Sequence, residues 1–152
     1  MKYGCTLVAV TDMERSKRFY HDVLGLEVIL DVGANVTLTG NIALQTKETW
    51  KEFIHGKDVS FGGNAFELYF EEDDIDGFVE KLNGMPETEF VHPLLEHSWG
   101  QRAIRFYDPD RHIIEVGENM DIVLKRFLQS GLTVEETAKR MDVPVEYIQA
   151  KA

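Results

Sequence analysis

Short apolar runs along this chain give way, twice and in the same order, to amphipathic stretches and then to alternating segments. Thr6 to Val10 (TLVAV) and Ala65 to Phe70 (AFELYF) are runs of strand length. Each is followed by an aspartate placed to cap a helix. Asp12 precedes a stretch with Met13, Phe19, Tyr20, Val23 and Leu24 on one side, and Gly25 supplies a left-handed exit. Asp74 precedes Ile75, Phe78, Val79 and Leu82, with Gly84 shortly beyond. Three strands then follow each helix: 27–32, 35–39 and 42–45 in the first half, 89–95, 102–106 and 112–116 in the second. Gly33, Gly40-Asn41, Trp99-Gly100 and Asp108-Pro109-Asp110 separate them as turns. The order strand, helix, three strands thus occurs twice, which predicts an α+β fold of two paired βαβββ modules over about 3–46 and 64–117. The linker, 47–63, holds a short helix near Thr49 to Ile54 and a Phe61-Gly62-Gly63 joint.

Alternation separates the faces of each first strand, because neighbouring side chains point oppositely. Phe66, Leu68 and Phe70 face the helix and leave Glu67 and Tyr69 on the other side; Thr6, Val8 and Val10 do the same and leave Cys5, Leu7 and Ala9. Cys5 stands seven residues before Asp12 and Glu67 seven before Asp74, so the two are expected at equivalent stations. Glu115 interrupts the apolar run Ile113, Ile114, Val116, and its expected counterpart is Gln45, each five residues past its turn. Two carboxylates on inner faces need a partner: a cation, an arginine, a ligand, or each other with one protonated. Cys5 itself reads as a buried structural thiol. The five histidines show no HxH or HxxxH spacing; only His97, beside Trp99 and close to Gln101, invites a ligand-contact reading by stacking and hydrogen bonding.

Beyond 118 the pattern changes. Leu124, Phe127 and Leu128 predict one helix, Thr133 with Glu136 makes a capping box for a second, and Pro144 begins a third carrying Tyr147 and Ile148. Leu132 to Gln149 looks like a helix-turn-helix, yet 119–152 holds five basic and five acidic residues, and the whole net charge of −11 lies in 1–118. That balance argues against phosphate-backbone binding and for docking of the tail onto the main domain or across a dimer. With 152 residues and 43% hydrophobic content the chain can build one good core. A lone cysteine excludes an intrachain disulfide, and no run approaches the roughly 20 apolar residues that span a bilayer. No signal peptide is recognisable, and a soluble cytoplasmic protein is the expectation.

Over about residues 3 to 118 the sequence resembles the vicinal-oxygen-chelate superfamily of glyoxalase I, extradiol dioxygenases and bleomycin-resistance proteins. The resemblance rests on VTDMERSKRFY (10–20) with VLGL (23–26), DDID (73–76), WGQ (99–101), and FYDPD (106–110) followed by the strand bearing Glu115. It implies a curved mixed sheet around a cleft, a homodimer, and a small-molecule ligand. It also implies a divalent metal (magnesium, manganese, nickel or zinc) at Glu115, Glu67, Gln45 and Cys5, of which only Glu115 matches the usual ligand type. Glu115 and Glu67 are then the catalytic candidates, as ligands or as general base, and Tyr69, Trp99, Gln101 and His97 the ligand-binding ones. The implied function is that of a glyoxalase-like protein acting on a small oxygenated molecule by metal-assisted lyase or isomerase chemistry, distinct from standard glyoxalase I. The alternative is a non-catalytic protein that sequesters an antibiotic-type molecule.

Overall fold

The computed structural model describes all residues, Met1 to Ala152, and the chain divides into two compact units. The first comprises Met1–Ala65 together with Asp108–His112; the second comprises Phe66–Tyr107 and Ile113–Ala152.

In the first unit, strand β1 (Thr6–Val10) leads into helix α1 (Met13–Asp22), then β2 (Val28–Asp31), β3 (Asn35–Leu38), β4 (Ile42–Thr46) and helix α2 (Lys47–Phe53). Asp12 caps α1 by accepting from the Arg15 amide, and the helix ends in a Schellman arrangement. The Leu26 amide donates to the Tyr20 carbonyl and the Gly25 amide to that of His21, which requires the left-handed φ of +68° that Gly25 adopts. The sheet order is β1-β4-β3-β2, with β1 and β4 parallel and the other pairs antiparallel. Val8, Val10, Val36, Leu38 and Leu44 are buried together with Tyr20 and Val23 of the helix side. The segment Asp108–His112 completes this unit. The Asp108 carboxylate accepts from the Tyr20 hydroxyl at 3.0 Å, from the amides of Asp110 and His112, and lies 2.9 Å from His112 Nδ1. Burial and the charges of Asp108 and Asp110 hold the Tyr20 phenol well above its ordinary pKa, so it stays a donor.

The second unit repeats the order: β5 (Glu67–Glu72), α3 (Ile75–Asn83), β6 (Phe90–Glu96), β7 (Arg102–Tyr107) and β8 (Ile113–Glu118). Asp74 caps α3 through the Gly77 amide. The sheet order β5-β8-β7-β6 matches that of the first unit, and again only the first-strand to last-strand pair is parallel. Leu68, Ile104, Phe106, Ile114 and Val116 are buried with Ile75, Phe78 and Leu82 of α3. The duplication expected from the apolar pattern is therefore present in element order, caps and topology.

Three helices close this unit: α4 (Met120–Gln129), α5 (Val134–Met141) and α6 (Val145–Gln149). The Thr133–Glu136 capping box forms at the start of α5, and Pro144 stands just before α6. Val123, Leu124, Phe127, Ala138, Met141 and Ile148 make a small core of their own. No helix is long and apolar enough to cross a membrane.

Candidate functional site

One row of residues crosses the second sheet on the face turned from Leu68, Ile114 and Phe106. Tyr69 on β5 pairs with Glu115 on β8, Glu115 with Arg105 on β7, and Arg105 with His92 on β6. Residues directly opposite one another across strands project to the same side, so the row is one contiguous polar strip. Its chemistry centres on Arg105. The guanidinium donates to Glu115 Oε2, to Glu67 Oε2 at 2.9 Å, and to His92 Nε2 at 3.2 Å, which makes that nitrogen the acceptor. His92 Nδ1 lies 2.8 Å from the Pro93 carbonyl. Pro93, which has no N–H, sits where the β6–β7 register slips.

Two carboxylates share this single guanidinium, and they do not share it equally. The hydrogen bond from Arg105 holds Glu67 below the usual carboxylate range. Burial, and then the hydrogen bond to the neighbouring Glu67 carboxylate, push Glu115 up to about 7 although Arg105 pulls the other way. Near neutral pH the pair therefore carries between one and two negative charges against one arginine, so the match is incomplete.

Beside the row, the four residues expected to meet a ligand are gathered. His97 and Trp99 stack with ring centroids 4.2 Å apart and planes 9° from parallel. Trp99 Nε1 donates to Gln101 Oε1 at 3.2 Å. Gln101 Nε2 donates to the Tyr69 hydroxyl at 2.8 Å and to the Glu118 carbonyl at 2.9 Å, and the Tyr69 hydroxyl donates to Glu71 at 3.1 Å. Gly117 makes room for this relay, since a Cβ there would lie 2.7 Å from Gln101 Nε2 and 3.1 Å from the Tyr69 ring. Burial, and then the nearby Arg105 charge, lower the His97 pKa, and its Nε2 has no hydrogen-bond partner within the protein.

Within the first unit, Gln45 and Cys5, the two metal ligands expected there, are not brought together. In the first sheet the residue beside Gln45 is Ala9, and Cys5 precedes β1 four residues earlier, about 13 Å away along the strand at ~3.3 Å per residue. Cys5 is exposed, so the expectation of a buried structural thiol is also corrected. The proposed double equivalence fails on register: Ala9 is three residues before Asp12, whereas Tyr69 is five before Asp74. If Gln45 matches Glu115, then Glu67 matches Leu7 rather than Cys5. Gln45 is moreover committed, accepting from Asn35 Nδ2 at 2.8 Å and donating to the Thr49 hydroxyl. Glu67 and Glu115 are brought together, but around a permanent cation, and nowhere do three or more His, Cys, Asp or Glu side chains form a group able to hold a metal ion. A divalent ion at Glu67 and Glu115 would have to displace the Arg105 guanidinium; the donor set present does not fit one.

Arg105, His92 and Gly117 were missed from sequence. The alternation in RAIRFY carried the signal for the first of them, since Ile104 and Phe106 facing the helix leave Arg105 on the face of Glu115.

The family profile described as a glyoxalase-like domain matches residues 3–121. The chain belongs to this family. That places it in the vicinal-oxygen-chelate superfamily, with which its repeated topology agrees. Among solved structures it is similar to a protein of unknown function from Agrobacterium tumefaciens str. C58, at 38% identity and a TM-score of 0.71, covering 78% of this chain and 94% of that one. It also shares its fold with a lactoylglutathione lyase from Agrobacterium tumefaciens, at 22% identity, TM-score 0.62 and coverage of 78% and 94%. A glyoxalase/bleomycin resistance protein/dioxygenase family enzyme from Burkholderia phytofirmans PsJN does likewise, at 19% identity, TM-score 0.65 and coverage of 76% and 96%. No curated protein matches the chain. The glyoxalase-like profile stops at residue 121, so most of α4 and all of α5 and α6 lie beyond it.

Proposed function

We propose that this glyoxalase-like protein binds a small oxygenated molecule on the Tyr69–Glu115–Arg105–His92 row and moves a proton on it through Glu115, without a metal. The observation that carries the reading is a carboxyl group with a pKa of about 7 hydrogen-bonded to an arginine on a polar sheet face. A base poised near the working pH is suited to removing a proton next to a carbonyl, the step common to isomerases and many lyases. Arg105 then stabilises the oxyanion that forms, and Glu67, which stays ionised, holds Arg105 in place. Tyr69, Trp99, Gln101 and His97 provide the surrounding contacts. Standard glyoxalase I chemistry is not expected, because the residues do not make its metal site.

The test is α-proton exchange in D2O, followed by NMR, for a panel of 2-hydroxy ketones and 2-oxo acids starting with dihydroxyacetone and pyruvate. Exchange by chelator-treated protein that is abolished in Glu115→Gln supports the proposal. Exchange that needs added magnesium, manganese, nickel or zinc overturns its metal-free form, and exchange no faster than that of Glu115→Gln across the panel overturns proton transfer. The second reading, sequestering of an antibiotic-type molecule, is favoured by the parallel His97–Trp99 stack, a platform for a flat ligand. Under it, a ligand raises the melting temperature with no exchange.

A homodimer is part of the same proposal. The edge strand β2 is exposed along Val28–Asp31, with Ile29 and Leu30 more than half accessible, and unpaired edges of this kind are ready templates for a second copy. Sedimentation decides it: a monomer at micromolar concentration removes this part.

A further inference from the structure

The helices beyond the family profile grip the turn that carries the aromatic residues of the candidate site. Arg126 on α4 donates to the Gly100 carbonyl at 2.7 Å and to Glu118 at 3.0 Å. Arg140 on α5 donates to the Ser98 carbonyl and, at 3.0 Å, to Glu96. Both guanidiniums lie against the Phe127 ring, 5.1 and 5.6 Å from its centroid. The ring itself fills the space where Gly100 has no side chain, since a Cβ there would come within 2.2 Å of it. The two carbonyls flanking Trp99 are thus both held by the tail, while the turn closes on itself through His97 N–H to Gln101 C=O at 2.8 Å and Gly100 N–H to His97 C=O at 2.9 Å. From this turn Trp99 reaches Gln101, and Gln101 reaches Tyr69.

We infer that α4–α6 is a positioning element for the site: Arg126, Phe127 and Arg140 fix the Ser98–Gly100 turn and thereby hold Trp99 and Gln101 where they meet Tyr69 and the ligand. The part concerning ligand contact rests on the reading of the polar row given above; the latch itself rests only on the contacts just described. A tail that merely added stability would not need to anchor the carbonyls on both sides of one aromatic residue. Charge-assisted bonds from two arginines to backbone oxygens fix a turn's geometry more tightly than apolar packing does.

The chain has two tryptophans, Trp50 and Trp99, so Trp50→Phe leaves Trp99 as the sole tryptophan, excited at a wavelength where tyrosine does not absorb. In that full-length background, Arg140→Met, Arg140→Lys and Arg126→Lys are compared by acrylamide quenching, with thermal unfolding as the control. Arg140 is a half-exposed side chain, so its substitution is expected to leave folding intact, which the melting control checks. The expected result is severalfold more efficient quenching of Trp99 in Arg140→Met, partial rescue in Arg140→Lys, and melting within a few degrees of the parent. Protection of Trp99 by dihydroxyacetone or pyruvate is expected to need about tenfold more compound in Arg140→Met. Quenching equal to the parent in both Arg140→Met and Arg126→Lys overturns the inference. Raised quenching in Arg140→Met, with neither compound shielding Trp99 in the parent, supports the latch and counts against the site reading instead.

Discussion

In the first sheet the row through Gln45 runs Ala9, Gln45, Asn35, all uncharged, and its amides and the Thr49 hydroxyl satisfy one another. In the second sheet the row through Glu115 runs Tyr69, Glu115, Arg105, His92, and it holds a buried carboxyl that has only a share of one guanidinium. One ladder pattern thus carries a closed amide pair in one unit and an under-compensated ionic group in the other. The difference teaches where to look for chemistry: a proton near neutrality is held where charges are nearly but not fully matched. Glu118 makes the same point on the same strand. Burial alone would raise it, but Arg102 and Arg126 together hold it below the ordinary carboxylate range. Two arginines make Glu118 an anchor; half of one leaves Glu115 able to titrate.

The contrast is broken most severely by Arg105→Met, which strands two carboxylates. Loss of one partner from a fully buried pair costs about 3–5 kcal/mol; since Glu67 reaches solvent, urea unfolding at pH 8 should show a loss of no more than about 3 kcal/mol, with much of it recovered near pH 5 as Glu115 takes up a proton. Next comes the pH dependence of the unaltered protein. Because the folded pKa of Glu115 is raised, its contribution is fully present below the unfolded value, near 4.5, and is lost as pH rises through about 7. Stability should fall across that window by no more than about 3 kcal/mol, and Glu115→Gln should flatten the profile. Gln45→Glu would import the second sheet's problem into the first without its arginine; a cost of about 2 kcal/mol at pH 8, shrinking at pH 4, is expected from unfolding curves. Cys5→Ser, at an exposed position outside the ladder, should change stability by less than about 0.5 kcal/mol and leave α-proton exchange unaltered.

Much of this fold was legible because local signals agreed with one another. Period-two alternation set the faces of β1 and β5, Asp12 and Asp74 capped the helices, and Gly25 closed the first of them. Register was less legible, because alternation fixes which face a residue takes but not which neighbour it meets; a slip of two residues preserves the face. Counting from the helix caps paired Cys5 with Glu67 and counting from the turns paired Gln45 with Glu115, which the ladders forbid together. Arg105 stands on a middle strand, outside the first-strand and last-strand positions that the repeat marks. The grip of Arg126 and Arg140 on Ser98 and Gly100 left no sequence signature, for basic residues on a capped helix read as an ordinary solvated face.

Asp108 ties its turn to Tyr20 across 88 positions of sequence. The first unit borrows residues 108–112 to complete itself, so when the chain emerges from the ribosome in order, its first 65 residues wait for a late segment before Tyr20 finds its acceptor. Synthesis alone cannot finish that unit early, because the closing hydrogen bond waits until residue 108 has emerged.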